Sequence, residues 1–291
     1  MRGVAWIIMV LAIGTAGATD AQEGCSLVRL EEGSVHACVA GQGPMTVVLA
    51  SGAGQTLRTW HDLVPRLSPA ARVITFDRPG LGQSPPGSLP RTPTRIAVEL
   101  HGLLQELEID GPVLLVGHSM GGLHVLRYAA LYPEHVLGVI LLDTPPRGFE
   151  EARMSLLNPQ EREERRRVLT GGLSGVSDAV RLEREGSQDP QEWRFADFPR
   201  ALPLRVVVAD SQDFGNLGSP DAHRRLWVEQ SRSWTALSTG ASLTVAAGSG
   251  HMVHHDRRDL VVEMVLKMVN ELGDSGAPNG PQPNKELPLT G

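Results

Sequence analysis

Residues 113–122, Val-Leu-Leu-Val-Gly-His-Ser-Met-Gly-Gly, contain the pattern that decides the fold. The apolar run 113–116 predicts a buried strand, and a helical pattern of apolar residues follows the glycines. Gly117, Ser119 and Gly121 form Gly-x-Ser-x-Gly, which on a sharp strand-to-helix turn holds a serine hydroxyl at the edge of a sheet. The segment therefore predicts Ser119 as a nucleophile.

Short apolar runs elsewhere have the same character, at residues 46–50, 73–76, 139–142, 204–209 and 243–247. Because they lack alternating polar residues, they are typical of strands buried on both faces of a parallel sheet. Helical periodicities, such as that of residues 96–107, separate them. This alternation predicts an α/β fold in which a mostly parallel central sheet has helices on both faces.

No strand is predicted over about residues 145–203. Asn158 and Glu161 indicate a helix start with a reciprocal cap, and charges of both signs follow. We expect a helical lid over the carboxyl edge of the sheet, with flexible joints at Gly171, Gly172 and Gly175. The whole of residues 22–272 is then expected to form one domain.

The first 21 residues have the features of a secretory signal peptide. A basic start precedes the apolar run 4–13 and the small residues 14–18, and the run is too short for a comfortable membrane span. This predicts a secreted or periplasmic protein without stable membrane insertion after cleavage; the alternative is an uncleaved anchor. An exported chain meets an oxidising compartment, and the residues between Cys25 and Cys38 have the pattern of a hairpin. Both features predict a disulfide between these cysteines; the alternative is two buried thiols.

The C-terminal segment 273–291 is rich in Gly, Pro and Asn and is predicted to be disordered. Its last five residues, 287–291, read Leu-Pro-Leu-Thr-Gly and match a sortase recognition pattern. No apolar segment or basic tail follows, so a tag or coincidence is favoured over a sorting motif.

Composition narrows the possible functions. The chain has 291 residues, 41% of them hydrophobic and 21% charged, and a net charge of -6. These values exclude a disordered chain, a coiled coil and a protein with many membrane spans. A mildly acidic chain is also a poor nucleic-acid binder, because phosphate needs a basic face. The expected partner is a small acyl substrate, and the oligomeric state stays open.

A serine hydroxyl needs a base and an orienting acid to become a nucleophile. His251 follows the last predicted strand and is the expected base. Asp213, after the strand 204–209, is the first choice for the acid, and Asp210 and Asp143 are the alternatives. All three acids preserve the order Ser, Asp, His.

The backbone N–H groups of Met120 and Ala53 are the expected oxyanion hole. Met120 follows the nucleophile, and Ala53 lies in the glycine-rich loop after the strand 46–50. That loop lacks the spacing of a phosphate or dinucleotide fingerprint, so no cofactor is implied. The helical spacing of His251 and His255 has no supporting carboxylate or cysteine, so no metal site is predicted.

Several segments together resemble the α/β-hydrolase fold superfamily over about residues 47–266. Residues 77–84 are similar to its D-R-x-G-x-G-x-S loop, residues 132–136 to its Y-P-x-x-V step, and residues 249–261 to its terminal histidine segment. The resemblance implies hydrolysis of esters, thioesters, amides or lactones, and in some members acyl transfer or peracid formation.

Two departures from the superfamily pattern bear on the site. Ser51-Gly52 replaces the usual His-Gly before the oxyanion residue. The residues leading to Asp213 also do not match the usual Gly-x-x-Asp pattern. The expected function is a serine hydrolase that cleaves a carboxylic ester or related acyl bond through an acyl-enzyme. The alternatives are an aminopeptidase or acyltransferase with the same triad, and a catalytically silent binding protein.

Overall fold

The computed structural model describes residues 24–171 and 176–274. Its strands are β1 (Gly24–Arg29), β2 (Ser34–Ala40), β3 (Thr46–Ala50), β4 (Arg72–Phe76), β5 (Val113–His118), β6 (Val136–Leu142), β7 (Leu204–Ala209) and β8 (Ala241–Ala246). They form one sheet in the order β1-β2-β4-β3-β5-β6-β7-β8. The pairs β1–β2 and β2–β4 are antiparallel, and all other pairs are parallel.

The helices within the described residues are α1 (Val64–Leu67), α2 (Pro93–Glu106), α3 (Met120–Leu131), α4 (Phe149–Ser155), α5 (Pro159–Gly171), α6 (Asp178–Gly186), α7 (Pro220–Ser231), α8 (Val253–Asp256) and α9 (Arg258–Asp274). Short 3-10 helices are Leu57–Trp60, Pro133–His135, Pro190–Trp193 and Arg232–Leu237. Across the described ranges, none of these helices combines the length and apolar character that a membrane span requires.

Alternation along the strands sends side chains to two separate cores. Val48 and Leu115 pack with α2 and α3, whereas Val47, Leu49 and Val116 pack with α1 and α9. Successive side chains of a strand point to opposite faces, so strands covered on both faces are apolar throughout. The predicted mostly parallel sheet with helices on both faces is confirmed.

The last predicted strand differs from its prediction. It was expected to be buried on both faces, but in β8 only Ala246 is buried. The reason is its position, since β8 is the edge strand and pairs with β7 alone. Apolar content was therefore a weaker guide to burial here than in the five strands at the centre.

The N-terminal hairpin has the predicted register. Cys25 of β1 lies opposite Cys38 of β2, and the two cysteines form a disulfide. Most of β1 is exposed, so the disulfide joins a poorly buried edge strand to its neighbour β2. The predicted disulfide is present in the structure.

The segment between β6 and β7 is helical, as predicted, and contains no strand among its described residues. It holds α4, α5, α6 and a 3-10 helix. The expected reciprocal cap is present, since Asn158 Oδ1 accepts from the Glu161 N–H and Glu161 Oε2 accepts from the Asn158 N–H, both at 2.9 Å. We call this segment, residues 145–203, the insertion.

Some predictions cannot be compared with the structure. The signal peptide at 1–21, the joints at Gly172 and Gly175, and residues 275–291 with their terminal pentapeptide all lie outside the described residues. The predicted start of the tail at residue 273 falls inside α9, which continues to Asp274.

Candidate active site

Ser119 lies on a strained turn between β5 and α3. Its backbone has φ 52° and ψ −124°, a left-handed conformation that costs energy for a residue with a side chain. The turn also needs glycine at its neighbours, because a Cβ on Gly121 would lie 2.3 Å from the Ala50 carbonyl oxygen. Close backbone passage therefore explains the glycines that the sequence motif requires.

His251 reaches Ser119 from the loop between β8 and α8. The distance between His251 Nε2 and Ser119 Oγ is 2.9 Å. The backbone of His251 is held by His118, whose Nε2 donates to the His251 carbonyl at 2.9 Å. The predicted nucleophile and base are thus within hydrogen-bond distance across 132 residues of sequence.

The carboxylate beside His251 belongs to Asp143, at the end of β6. Asp143 Oδ2 lies 2.6 Å from His251 Nδ1, and the Asp143 side chain is fully buried. Three more groups donate to this carboxylate: the Ala209 N–H at 2.9 Å, Trp227 Nε1 at 2.7 Å and Gln212 Nε2. Such a network fixes the position of the carboxylate and, through it, the orientation of the histidine ring.

The first-choice acid, Asp213, is elsewhere, and so is Asp210. Asp213 Oδ1 accepts from the Gly215 N–H at 2.8 Å, and Asp210 Oδ1 accepts from the Gly248 N–H at 2.7 Å. The expectation that Asp213 would contact His251 is therefore wrong, and the third choice, Asp143, makes that contact. The physical reason is how the loops turn, because Asp143 leaves β6 with a φ of 47°, whereas backbone N–H groups hold the carboxylates of Asp213 and Asp210 elsewhere.

The two expected oxyanion donors lie beside the nucleophile. Met120 opens α3, so its N–H is at the positive end of that helix. The loop carrying Ala53 packs against Ser119, since a Cβ on Gly52 would lie 3.1 Å from Ser119 Cβ. No hydrogen bond among the described residues uses the N–H of Met120 or of Ala53.

A buried arginine holds this loop from behind. Arg78 Nη1 donates to the Ser51 carbonyl at 2.6 Å, and Nη2 donates to the Gly52 carbonyl at 2.9 Å. In a planar trans peptide the N–H points opposite to the C=O, so the Ala53 N–H points away from Arg78. Arg78 also forms a fully buried, two-pronged ion pair with Glu183 of α6, which ties the insertion to the loop.

The histidines behind the site are electrically neutral. Burial, with a smaller contribution from His251, lowers the pKa of His118 to about 3, and burial lowers the pKa of His254 to about 2. A neutral His118 that donates from Nε2 keeps the His251 backbone in place without adding charge beside Ser119. His255 does not converge with His251, since its Nε2 lies 2.9 Å from the Thr59 carbonyl.

A cavity of about 770 Å³ opens beside Ser119 and His251. Much of its lining comes from the insertion, including Phe149 and Trp193. Trp193 lines this cavity, whereas Phe198 of the same insertion is buried in the hydrophobic core on the face of the sheet that α2 and α3 cover. The volume is within the range of small-molecule sites.

Sequence reasoning missed Gln212 and Trp227 as partners of the acid. Trp227 lies on α7, 84 residues from Asp143, and Gln212 lies 69 residues away. Neither belongs to a motif. The only available signal was that Gln212 immediately precedes Asp213, in the loop where an acid was sought.

Comparisons with known proteins identify the fold family. A model of the alpha/beta hydrolase fold family matches residues 46–197. The uncharacterized protein YqjL of Bacillus subtilis is 25% identical over 76% of this chain and 82% of its own length. An esterase of Mycobacterium tuberculosis is 27% identical over 80% of this chain and 76% of its own length.

Solved structures show the same fold. A thermophilic esterase from Thermogutta terrifontis has a TM-score of 0.58 and 20% identity, over 86% of this chain and 99% of that one. A serine hydrolase involved in carbazole degradation has a TM-score of 0.62 and 19% identity, over 85% of this chain and 98% of that one. At such identities the likeness concerns the fold alone.

Proposed function

Because the chain belongs to the alpha/beta hydrolase fold family and is similar to esterases and other hydrolases, we propose that it is a serine hydrolase that cleaves carboxylic esters. The observation that carries the proposal is the continuous contact from Asp143 through His251 to Ser119, at 2.6 and 2.9 Å. Those are the distances at which a base can accept the proton of a nucleophile.

In the first half-reaction, Ser119 Oγ attacks the ester carbonyl and its proton moves to His251 Nε2. Asp143 stabilises the imidazolium that results, and the N–H groups of Met120 and Ala53 donate to the oxyanion. The tetrahedral intermediate then loses the alcohol, which takes the proton from Nε2. The products of this half are a free alcohol and an acyl group esterified to Ser119.

In the second half-reaction, water replaces the alcohol. His251 Nε2 accepts a proton from water as the water oxygen attacks the acyl carbonyl, and the same two N–H groups hold the oxyanion. Collapse returns the proton from Nε2 to Ser119 Oγ and releases the carboxylic acid. The triad ends in its starting protonation state, so no cofactor takes part in these steps.

We also propose that the protein acts outside the cytoplasm. The signal-like residues 1–21 support this location, and the disulfide between Cys25 and Cys38 is favoured in an oxidising compartment. Expression of the full chain followed by fractionation and N-terminal sequencing tests it. A cytoplasmic chain that retains Met1 would contradict this part of the proposal.

Turnover of p-nitrophenyl butyrate tests the catalytic proposal. Ser119→Ala lowers kcat by at least about 10⁴-fold, because without the serine nucleophile no acyl-enzyme can form. The matched control is Ser233→Ala, since Ser233 is exposed and its hydroxyl only donates to the Gln230 carbonyl. Equal activity of Ser119→Ala and the control, with both variants folded by circular dichroism, would contradict the proposal.

A further inference from the structure

The wall of the cavity beside Ser119 carries an excess of positive charge. Its charged lining residues are Arg147, Glu150, Glu151, Arg153, Arg165 and Arg184. Cations therefore outnumber carboxylates by two among the described residues that line it. Since the whole chain has a net charge of -6, this local excess runs against the overall balance.

The charges on this wall are unevenly paired. Arg165 forms a two-pronged ion pair with Glu150, at 2.6 and 2.7 Å. Arg153 has no ion pair in the part of the chain that the structure describes, although only 3% of it is exposed. Its Nη2 donates to the Phe214 carbonyl, but its buried Nε has no hydrogen-bond partner.

A buried, unpaired guanidinium is costly. Arginine does not lose its proton in proteins, so it cannot escape the cost of desolvation by becoming neutral. The Phe214 ring, 5.4 Å from the guanidinium carbon, compensates only in part. Removal of a buried charge from water is normally offset by an ion of the opposite sign. The carboxylate of Glu150 acts on Arg153, but it is already paired with Arg165, and Arg153 faces the cavity of the nucleophile.

We propose that Arg153 binds a carboxylate of the substrate, so that the preferred esters carry a negative charge on the group that occupies this cavity. The inference rests on the proposed serine hydrolase function. Arg147 and Arg184 are exposed at the same cavity, and neither forms an ion pair within the described residues, so they attract anions towards it. Glu151, also exposed, opposes this attraction only in part.

A carboxylate fits the wall better than a phosphate dianion. Among the described residues that line the cavity, only one cation, Arg153, is deeply buried, and the nearby lining includes the apolar rings of Phe149, Phe214 and Trp227. A single guanidinium forms a two-pronged pair with a carboxylate, whereas a second negative charge would be desolvated without a buried partner.

The test compares two esters of equal acyl length, mono-p-nitrophenyl glutarate and p-nitrophenyl valerate. In the wild type, kcat/KM is higher for the charged ester. In Arg153→Met, the ratio of the two kcat/KM values falls about 10- to 150-fold, the loss expected for one charge-assisted hydrogen-bonded contact. The control Arg181→Met leaves this ratio unchanged, because Arg181 pairs with Asp178 and Glu185 away from the cavity.

A binding measurement separates this inference from the proposed function. Glutarate is titrated by calorimetry into Ser119→Ala and into the double variant that also carries Arg153→Met. Binding by the first, weakened at least tenfold in the second, supports the anion site even if neither ester is turned over. Turnover of both esters with equal kcat/KM, or glutarate affinities that do not depend on Arg153, would overturn the inference and leave the serine hydrolase proposal intact.

Discussion

Replacement of Asp143 with asparagine removes the negative charge behind His251 and nearly preserves the size of the side chain. The carboxylate of Asp143 accepts from four donors, one of which is His251. An amide has one acceptor oxygen and two donor hydrogens, so it cannot satisfy all four. We expect the imidazole to lose its orientation and the imidazolium to lose its counter-charge.

The size of the loss follows from the distance between the two charges. With Oδ2 at 2.6 Å from Nδ1, the centres of charge are about 4 Å apart, which corresponds to roughly 4 kcal/mol at an effective dielectric constant near 20. Each 1.36 kcal/mol or so changes a rate tenfold, so kcat falls on the order of 10³-fold. The asparagine amide also favours the wrong tautomer of His251, which extends the expected loss of kcat towards about 10⁴-fold.

The assay is steady-state turnover of p-nitrophenyl butyrate by the wild type, Asp143→Asn and Asp213→Asn. Asp213 is the matched control, because it follows a neighbouring strand but, among the described residues, its carboxylate accepts only from the Gly215 N–H. Its replacement keeps kcat within about twofold of the wild type, as for an exposed side chain that does not contact the triad. Thermal unfolding establishes that both variants are folded. A larger loss in Asp213→Asn than in Asp143→Asn would refute the assignment of the acid.

Three further predictions concern the support of the site and the stability of the fold. Glu183→Gln lowers kcat about 3- to 30-fold with little change in KM, because Arg78, which holds the loop of Ala53, loses the charge of its ion-pair partner. A change in KM as large as that in kcat would indicate an effect on substrate binding instead. Replacement of both Cys25 and Cys38 with serine lowers the free energy of unfolding by about 3 kcal/mol in urea titrations, and an unchanged midpoint would contradict this. His118 takes up its proton near pH 6.5 when the chain is unfolded but only near pH 3 when folded, so stability falls as the pH drops between these values. His118→Gln therefore removes about 2.5 kcal/mol of the stability difference between pH 7 and pH 4.5, and an identical pH dependence in wild type and variant would contradict the neutral histidine.

The contact between Ser119 and His251 was predictable because its signals are local. Ser119 needs a particular turn between a strand and a helix. Only glycine fits at position 121, because a Cβ there would lie 2.3 Å from the Ala50 carbonyl oxygen. His251 follows the last strand, whose carboxyl end must lie at the same edge of a parallel sheet. The strands and their connections place both residues without further knowledge of side-chain packing.

The acid was not predictable in the same way. Asp143, Asp210 and Asp213 all follow strand ends, and chain order is the same for each. The choice depends on how each loop turns, and Asp143 does so with an unusual φ of 47°, which sequence does not reveal. The same holds for Trp227, whose contact with the acid arises only when α7 packs on the sheet.

Covalent labelling of the folded protein with a fluorophosphonate, followed by peptide mass spectrometry, tests whether Ser119 is the nucleophile. The account predicts one adduct per chain, located on Ser119, and much slower labelling of His251→Ala, because His251 Nε2 lies 2.9 Å from the reacting hydroxyl. A folded protein that acquires no adduct, or acquires it on a residue other than Ser119, would contradict the account.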